Sequence, residues 1–285
     1  MRAARWAHFS RRLHGRAVVY GLLAGAALGI AAGAAWHDSM AALAVGAMVT
    51  LAILLFEWKQ AEEDAEGEFF TSFAPSIGLD YVVSGAVPPI TPLLSAGDTQ
   101  LCKNVMEGPL FGAQGGPTCT FAQYEFHVTQ ADGKGRTQNV PHHFTICALE
   151  VPGALPVFHG VFLRRRPQIR VGWLWDDWLK RVHAEEVDLE STDFEERYEL
   201  RASRDQDRVV LGELFSPSFI VWLAEHPLRP GFECKAGELV VFIPGHEGSA
   251  AELTLLFEAT REITRRVMAA VGAGHYFSAA GHTMR

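Results

Sequence analysis

The sequence predicts an α+β protein: a two-helix transmembrane hairpin, then a cytoplasmic domain with an antiparallel sheet covered by helices. Two long uncharged apolar runs occupy most of residues 17–56. After them, strand-like and helix-like hydrophobic patterns succeed each other, with the strands clustered in hairpins. We expect the following segments: a basic tail 1–16, the hairpin 17–57, a juxtamembrane helix 58–78, the soluble domain 79–272 and a flexible tail 273–285.

The membrane hairpin rests on the two apolar runs. Residues 17–36 read AVVYGLLAGAALGIAAGAAW and contain no charge. At about 1.5 Å per residue this run is about 30 Å long, enough to cross the hydrocarbon core. The second run, 40–56, is also uncharged and follows a short polar turn. Because lipid-facing backbone must satisfy its hydrogen bonds internally, we expect two antiparallel helices.

The orientation follows from positive charge. No acid precedes the first run, and the turn between the runs lacks Lys and Arg. The arginines before the first run are Arg2, Arg5, Arg11, Arg12 and Arg16. The positive-inside rule therefore places the N-terminus and the soluble domain in the cytoplasm, at a bacterial inner membrane. The alternative is a cleaved signal peptide ending near Ala32–Ala34, in which case the second run would still carry the soluble domain back to the cytoplasm.

Small residues recur every four positions in both runs, as in a glycine zipper. They are Gly21, Gly25, Gly29 and Gly33 in the first run, and Ala42, Gly46 and Thr50 in the second. Small residues allow helix backbones to approach closely in lipid. The two stripes either pack on each other within one hairpin or contact another protomer or a membrane-protein partner.

The soluble domain begins with strand-like and turn-like segments. We expect a strand at 79–83, a short helix within 91–106, a hairpin of 118–129 with 144–151, and a strand at 198–202. The acidic residues Asp176, Asp177, Glu185 and Glu186 are expected on a solvated helix face. Further along, Ser216-Pro217 starts a helix, 232–234 and 239–243 form a second hairpin, and a long helix follows Ser249.

Composition and motifs exclude several classes of function. The net charge of −8 argues against non-specific nucleic-acid binding. The four cysteines form no CxxC and are expected to be reduced and buried. The chain has no phosphate loop, no G-x-S-x-G and no H-E-x-x-H. We therefore expect no catalytic residues and no cofactor.

One block of the soluble domain resembles a known family. Residues 187–200 read VDLESTDFEERYEL, and LFSPSF follows at 214–219. This pattern resembles the bacterial domain-of-unknown-function family 3137, in which an acidic LES run precedes an F-N-x-x-F-x-V strand. Phe194 and Tyr198 match the aromatic positions, whereas Glu195 replaces the usual Asn. The resemblance covers roughly 58–270, strongest with actinobacterial members, and implies a membrane-anchored domain of unknown role.

Two further groups could carry chemistry. His127, His143 and Cys147 lie on the expected first hairpin and are residue types that bind zinc, although no carboxylate is evident to orient the imidazoles. The simpler interpretation is a buried thiol and half-exposed histidines.

The second group is a basic, Trp-rich segment, residues 163–181. Its residues Arg164, Arg165, Arg166, Arg170, Trp173, Trp175 and Trp178 could touch anionic lipid or an acidic partner. Buried tryptophans with solvated arginines are the alternative. Together these features favour a membrane-tethered interaction or scaffold protein, with the lipid bilayer, a membrane protein or a second copy as partners. A membrane-associated enzyme or metal-binding protein is the alternative.

Overall fold

The chain divides into two compact units, residues 1–72 and 73–285, in the computed structural model. The structure describes residues 21, 23, 25–27, 29, 31, 39–112, 116–131, 137–166, 183–189 and 191–282. Each unit is described separately below.

The first unit is helical. Helix α1 spans Ser39–Phe73, and the described residues between 21 and 31 are also helical. Glycine brings these two helical segments together. A Cβ built on Gly25 would lie 3.1 Å from Val49 Cγ1, and one built on Gly46 would lie 3.7 Å from the Gly25 carbonyl oxygen.

One helix in the described part of the chain is long and apolar enough to cross a membrane. This helix, Ala44–Ile77, consists of α1 from Ala44 onward together with the 3₁₀ turn that directly follows α1. Only 11% of its most apolar 18-residue window is buried. It contains most of the expected second run. The expected first run, 17–36, falls largely outside the described residues.

The second unit opens with a 3₁₀ turn, Ala74–Ile77. The strands are β1 Asp80–Val82, β2 Thr99–Pro109, β3 Thr118–Ala131, β4 Thr137–Glu150, β5 Val161–Arg165, β6 Ala184–Glu186, β7 Tyr198–Ser203, β8 Gly231–Lys235 and β9 Glu238–Pro244. The helices are α2 Thr192–Glu195, α3 Arg208–Leu214, α4 Pro217–Glu225 and α5 Ala250–His282.

Within the described residues all the strands join one sheet. Its order is β1-β2-β3-β4-β9-β8-β5-β7-β6, and neighbouring strands are antiparallel. The predicted α+β class with an antiparallel sheet is confirmed. Both predicted hairpins are present as β3–β4 and β8–β9.

The helix expected within 91–106 is wrong. Residues 99–109 form β2, which pairs with both β1 and β3. A β-bulge between Lys103 and Met106 explains the error. The extra residue gives the buried Cys102, Val105 and Met106 a helix-like spacing of three and four.

The helix expected around Glu185 and Glu186 is also wrong at those residues. They lie in β6, which pairs with β7. Their side chains form ion pairs with Arg204 and Arg166 respectively, so both acids are paired with arginines distant in the sequence. Asp176 and Asp177 are outside the described residues.

The central strands are covered on both faces. On one face, called the loop face, Tyr124, Phe126 and Phe144 pack with Leu93 and Leu94 from the β1–β2 connection. On the other, called the helix face, Phe121 contacts Phe257 of α5 at a ring separation of 6.3 Å. A strand buried on both faces shows little apolar–polar alternation, but β3 keeps polar residues at one end of its helix face.

Candidate metal centre

The candidate site is built on the polar residues at one end of the helix face, and these belong to the β3–β4 hairpin. Residues two apart in a strand point to the same face, so Gln123, Glu125 and His127 share the helix face with Phe121. In the antiparallel register Glu125 lies opposite His143. The hairpin therefore brings a carboxylate and two imidazoles to one place.

A third imidazole comes from the loop that joins β9 to α5. This loop runs back along β4, because the Gly245 N–H donates to the His143 carbonyl at 2.8 Å. The His246 ring then lies against the His143 ring, with centroids 4.5 Å apart. His246 Nε2 donates to the Tyr124 carbonyl at 3.2 Å. Since a carbonyl oxygen only accepts, this bond leaves the lone pair on His246 Nδ1.

The distances within the group are short. His127 Nε2 lies 2.6 Å from Glu125 Oε1, and His143 Nδ1 lies 3.4 Å from Glu125 Oε2. Glu125, His143 and His246 each offer one ligand atom, and these atoms all lie within 4.8 Å of one another. Among the described residues no other group of three meets this spacing.

Electrostatics favour the protonation states that a metal site needs at Glu125 and His246. Burial raises the pKa of Glu125, but the hydrogen bond from His127 and the nearby charges of Lys103 and His143 outweigh it and leave that pKa below its ordinary value. Burial lowers the pKa of His246. At neutral pH the group therefore contains an ionised carboxylate and a neutral imidazole.

A buried polar network borders the group. Asn104 Nδ2 donates to Gln123 Oε1 at 2.8 Å, and Gln123 Nε2 donates to the Glu247 carbonyl at 3.1 Å. Asn104 sits at the bulge with φ 51°, a left-handed conformation unusual for a residue other than glycine. Bulges and strained residues concentrate near functional sites, which agrees with this position.

The sequence located part of this group. His127 and His143 are both present in it. Cys147 is not, because it lies opposite Phe121, four residues along β4 and therefore about 13 Å from His143. The Cys147 thiol is fully buried beside Cys119 and Thr260, under α5.

Glu125 and His246 were missed. The expectation that no carboxylate orients the imidazoles is wrong, since Glu125 contacts both His127 and His143. Its position two residues before His127 in an alternating strand could have revealed it. Nothing local could have revealed His246.

The basic segment is described only at its start. Arg164 forms a bidentate pair with Glu199, with distances of 2.8 Å and 2.7 Å, and its side chain is 12% exposed. It is therefore not part of an exposed basic surface. Arg166 pairs with Glu186, and Arg165 is half-buried. Arg170, Trp173, Trp175 and Trp178 lie outside the described residues.

Gly21, like Gly25 and Gly46, lies where the two helical segments approach each other, since a Cβ built on it would lie 3.1 Å from Ile53 Cδ1. A Cβ built on Gly25 would also lie 3.6 Å from Thr50 Oγ1, and one on Gly46 would lie 4.0 Å from Gly29 Cα. Gly33 and the Ala42 side chain lie outside the described part. The packing of the two stripes on each other, or on another protomer or membrane partner, stays a prediction.

Comparison with known proteins adds no relative. No family model, curated protein or solved structure matches the chain. The resemblance to family 3137 therefore stays a proposal.

Proposed function

We propose that this protein is a membrane-tethered metal-binding protein whose sheet domain binds one divalent transition-metal ion, zinc in the first instance. Glu125, His143 and His246 would supply the ligands. The observation that carries the proposal is the convergence of their ligand atoms within 4.8 Å of one another. Two imidazoles and one carboxylate form a donor set that zinc accepts, with a further position left for water.

The surroundings of the ligands support the proposal. Metal-binding imidazoles commonly donate their second N–H to a carbonyl, and ligating carboxylates are themselves hydrogen-bonded. His246 has such a carbonyl partner in Tyr124, and Glu125 has His127. Both groups are therefore held in place by partners that a bound ion would not displace.

We further propose that residues 17–36 and 40–56 form a transmembrane hairpin with the sheet domain on the cytoplasmic side. Support comes from the apolar helix at Ala44–Ile77, in which Met48, Leu51 and Leu55 are exposed. A soluble protein would bury such a stripe, whereas lipid solvates it. The N-terminal arginines supply the direction of insertion.

Zinc binding by the full-length protein in detergent tests the metal assignment. We expect one zinc per chain, measured by elemental analysis after dialysis and by calorimetric titration. Glu125→Gln and His246→Ala should each weaken binding by at least about tenfold, because each removes a ligand. His159→Ala is the matched control, since His159 pairs with Asp205 outside this group. Equal zinc affinity in all four proteins would contradict the proposal.

The interaction or scaffold role expected from the sequence is a second proposal. It rests on the tether, which would concentrate the sheet domain at the membrane. Affinity purification from native membranes, with the full chain and with a variant lacking residues 1–57, tests it. A protein retained by both would support docking on the sheet domain.

A further inference from the structure

Lys103 lies beside the proposed ligands. It forms an ion pair with the carboxylate of Glu125, which a metal ion would need as a ligand. Its ammonium is 3.4 Å from Glu125 Oε2, while His127 holds Glu125 Oε1 at 2.6 Å. Both oxygens of this carboxylate therefore face a basic partner. The Lys103 side chain is 51% exposed, against 11% for Glu125.

The bulge in β2 puts Lys103 there. Lys103 lies opposite Gln123 and Met106 lies opposite Phe121, so both point to the helix face although they are three residues apart. In a regular strand Val105, not Met106, would share that face with Lys103. The bulge thus keeps an ammonium at the polar end of this face while placing Met106 in its buried part.

A metal ion and the ammonium would compete for the same atom. His143 Nδ1 also lies 3.4 Å from Glu125 Oε2. This oxygen is therefore the one that a metal ion bound by both Glu125 and His143 would use. The other oxygen is engaged by His127 at a shorter distance. An ion bound between Glu125 and His143 would therefore meet the Lys103 charge at close range, where like charges repel.

We propose that Lys103 is a built-in competitor that sets the metal affinity of this site: its ammonium neutralises Glu125 without the ion and must swing into solvent for the ion to bind. This inference rests on the proposed metal-binding function. The high exposure of Lys103 makes the displacement feasible, because the freed ammonium is readily hydrated. This exchange would raise the zinc concentration at which the site is half occupied.

A gain of affinity tests the inference. In the full-length protein in detergent, Lys103→Gln should bind zinc about fivefold more tightly, the order of magnitude expected when the ion no longer has to break a partly exposed ion pair. Lys103→Arg should bind like the wild type, because it keeps the charge. The gain should shrink at high salt, where the repulsion is screened.

Arg204→Gln is the matched control. Arg204 also forms an exposed ion pair with a glutamate, Glu185 of β6, but it lies just after strand β7 and not beside Glu125. It should leave zinc affinity unchanged.

The outcomes separate this inference from the proposed function. If the wild type binds zinc and Lys103→Gln binds equally or more weakly, the competitor role is wrong while metal binding stands. If only Lys103→Gln binds, the competitor role is supported and metal binding by the wild type is wrong. If neither binds, both fail together.

Discussion

A single buried acid shows how strongly individual residues respond to the sheet around them. Glu233 of β8 is fully buried on the loop face, where its Oε2 accepts the Leu93 N–H at 2.9 Å. Burial raises the pKa of Glu233 from 4.5 to about 7, although the Leu93 hydrogen bond opposes the shift. This carboxyl therefore changes charge near neutral pH while it holds the connection between β1 and β2 against the sheet.

The stability of the protein should depend on pH through Glu233. Because its folded-state pKa lies above the ordinary value, its contribution to stability is full below 4.5 and is lost as the pH rises through about 7. Glu233→Gln mimics the protonated acid, so the variant should lose about 2 kcal/mol less stability than the wild type over this pH range. Melting temperatures of both proteins from about pH 5 to about pH 8 measure it.

If the melting temperatures of the wild type and Glu233→Gln change in parallel with pH over this range, Glu233 is not the source of the pH dependence. Burial also raises the pKa of Glu238, beside Glu150, to about 7. Glu238→Gln is therefore a useful comparison, since it should remove a separate part of the same pH dependence.

At the scale of elements, the bulge in β2 has the widest consequences. It gives the strand a helix-like spacing of apolar residues. It also points the Lys103 side chain at Glu125 and places Asn104 in a left-handed backbone conformation. The Asn104 side chain joins β2 to Gln123 of β3, and Tyr81 Oη donates to Asn104 Oδ1 at 3.1 Å. Conformation and hydrogen bonding at one residue thus tie three strands together.

Two substitutions at Asn104 separate these effects. Asn104→Gly keeps the left-handed backbone accessible and loses only the side-chain hydrogen bonds, so it should cost about 1–2 kcal/mol of unfolding free energy. Asn104→Ala loses the same bonds and adds backbone strain, so it should cost about 1 kcal/mol more. Chemical denaturation measures both. Equal losses would show that the backbone conformation at the bulge is not strained.

At the scale of the whole molecule, the chain couples an apolar helix to a sheet domain with its own core. The described residues place the apolar helix before Gly78 and all of the sheet after it. The core of the sheet domain draws on the loop face, the helix face and α5. The domain therefore has the buried surface to fold without the apolar helix.

Deleting residues 1–57 should release the sheet domain from membranes. The full chain should stay in the membrane fraction through high-salt and alkaline washes and leave it only with detergent, because its apolar helix is solvated by lipid. The truncated chain should appear in the soluble fraction with an unchanged near-ultraviolet circular dichroism spectrum. A full chain extracted by the alkaline wash would contradict the transmembrane assignment.

Local patterns in the sequence determined the fold class, both hairpins, α4, the terminal helix and an apolar helix of membrane-spanning length. Alternation and helical periodicity are properties of a few neighbouring residues, so they can be recognised without knowing the rest of the chain. The same locality misled at β2, where the bulge disguised a strand. Local patterns also pointed to His127 and His143, but tertiary structure decided which residues join them in the candidate site. His246 reaches His143 because β9 pairs with β4, and Cys147 is separated from the histidines by its register. Strand order and register depend on how the whole sheet buries its two faces, which no local pattern contains.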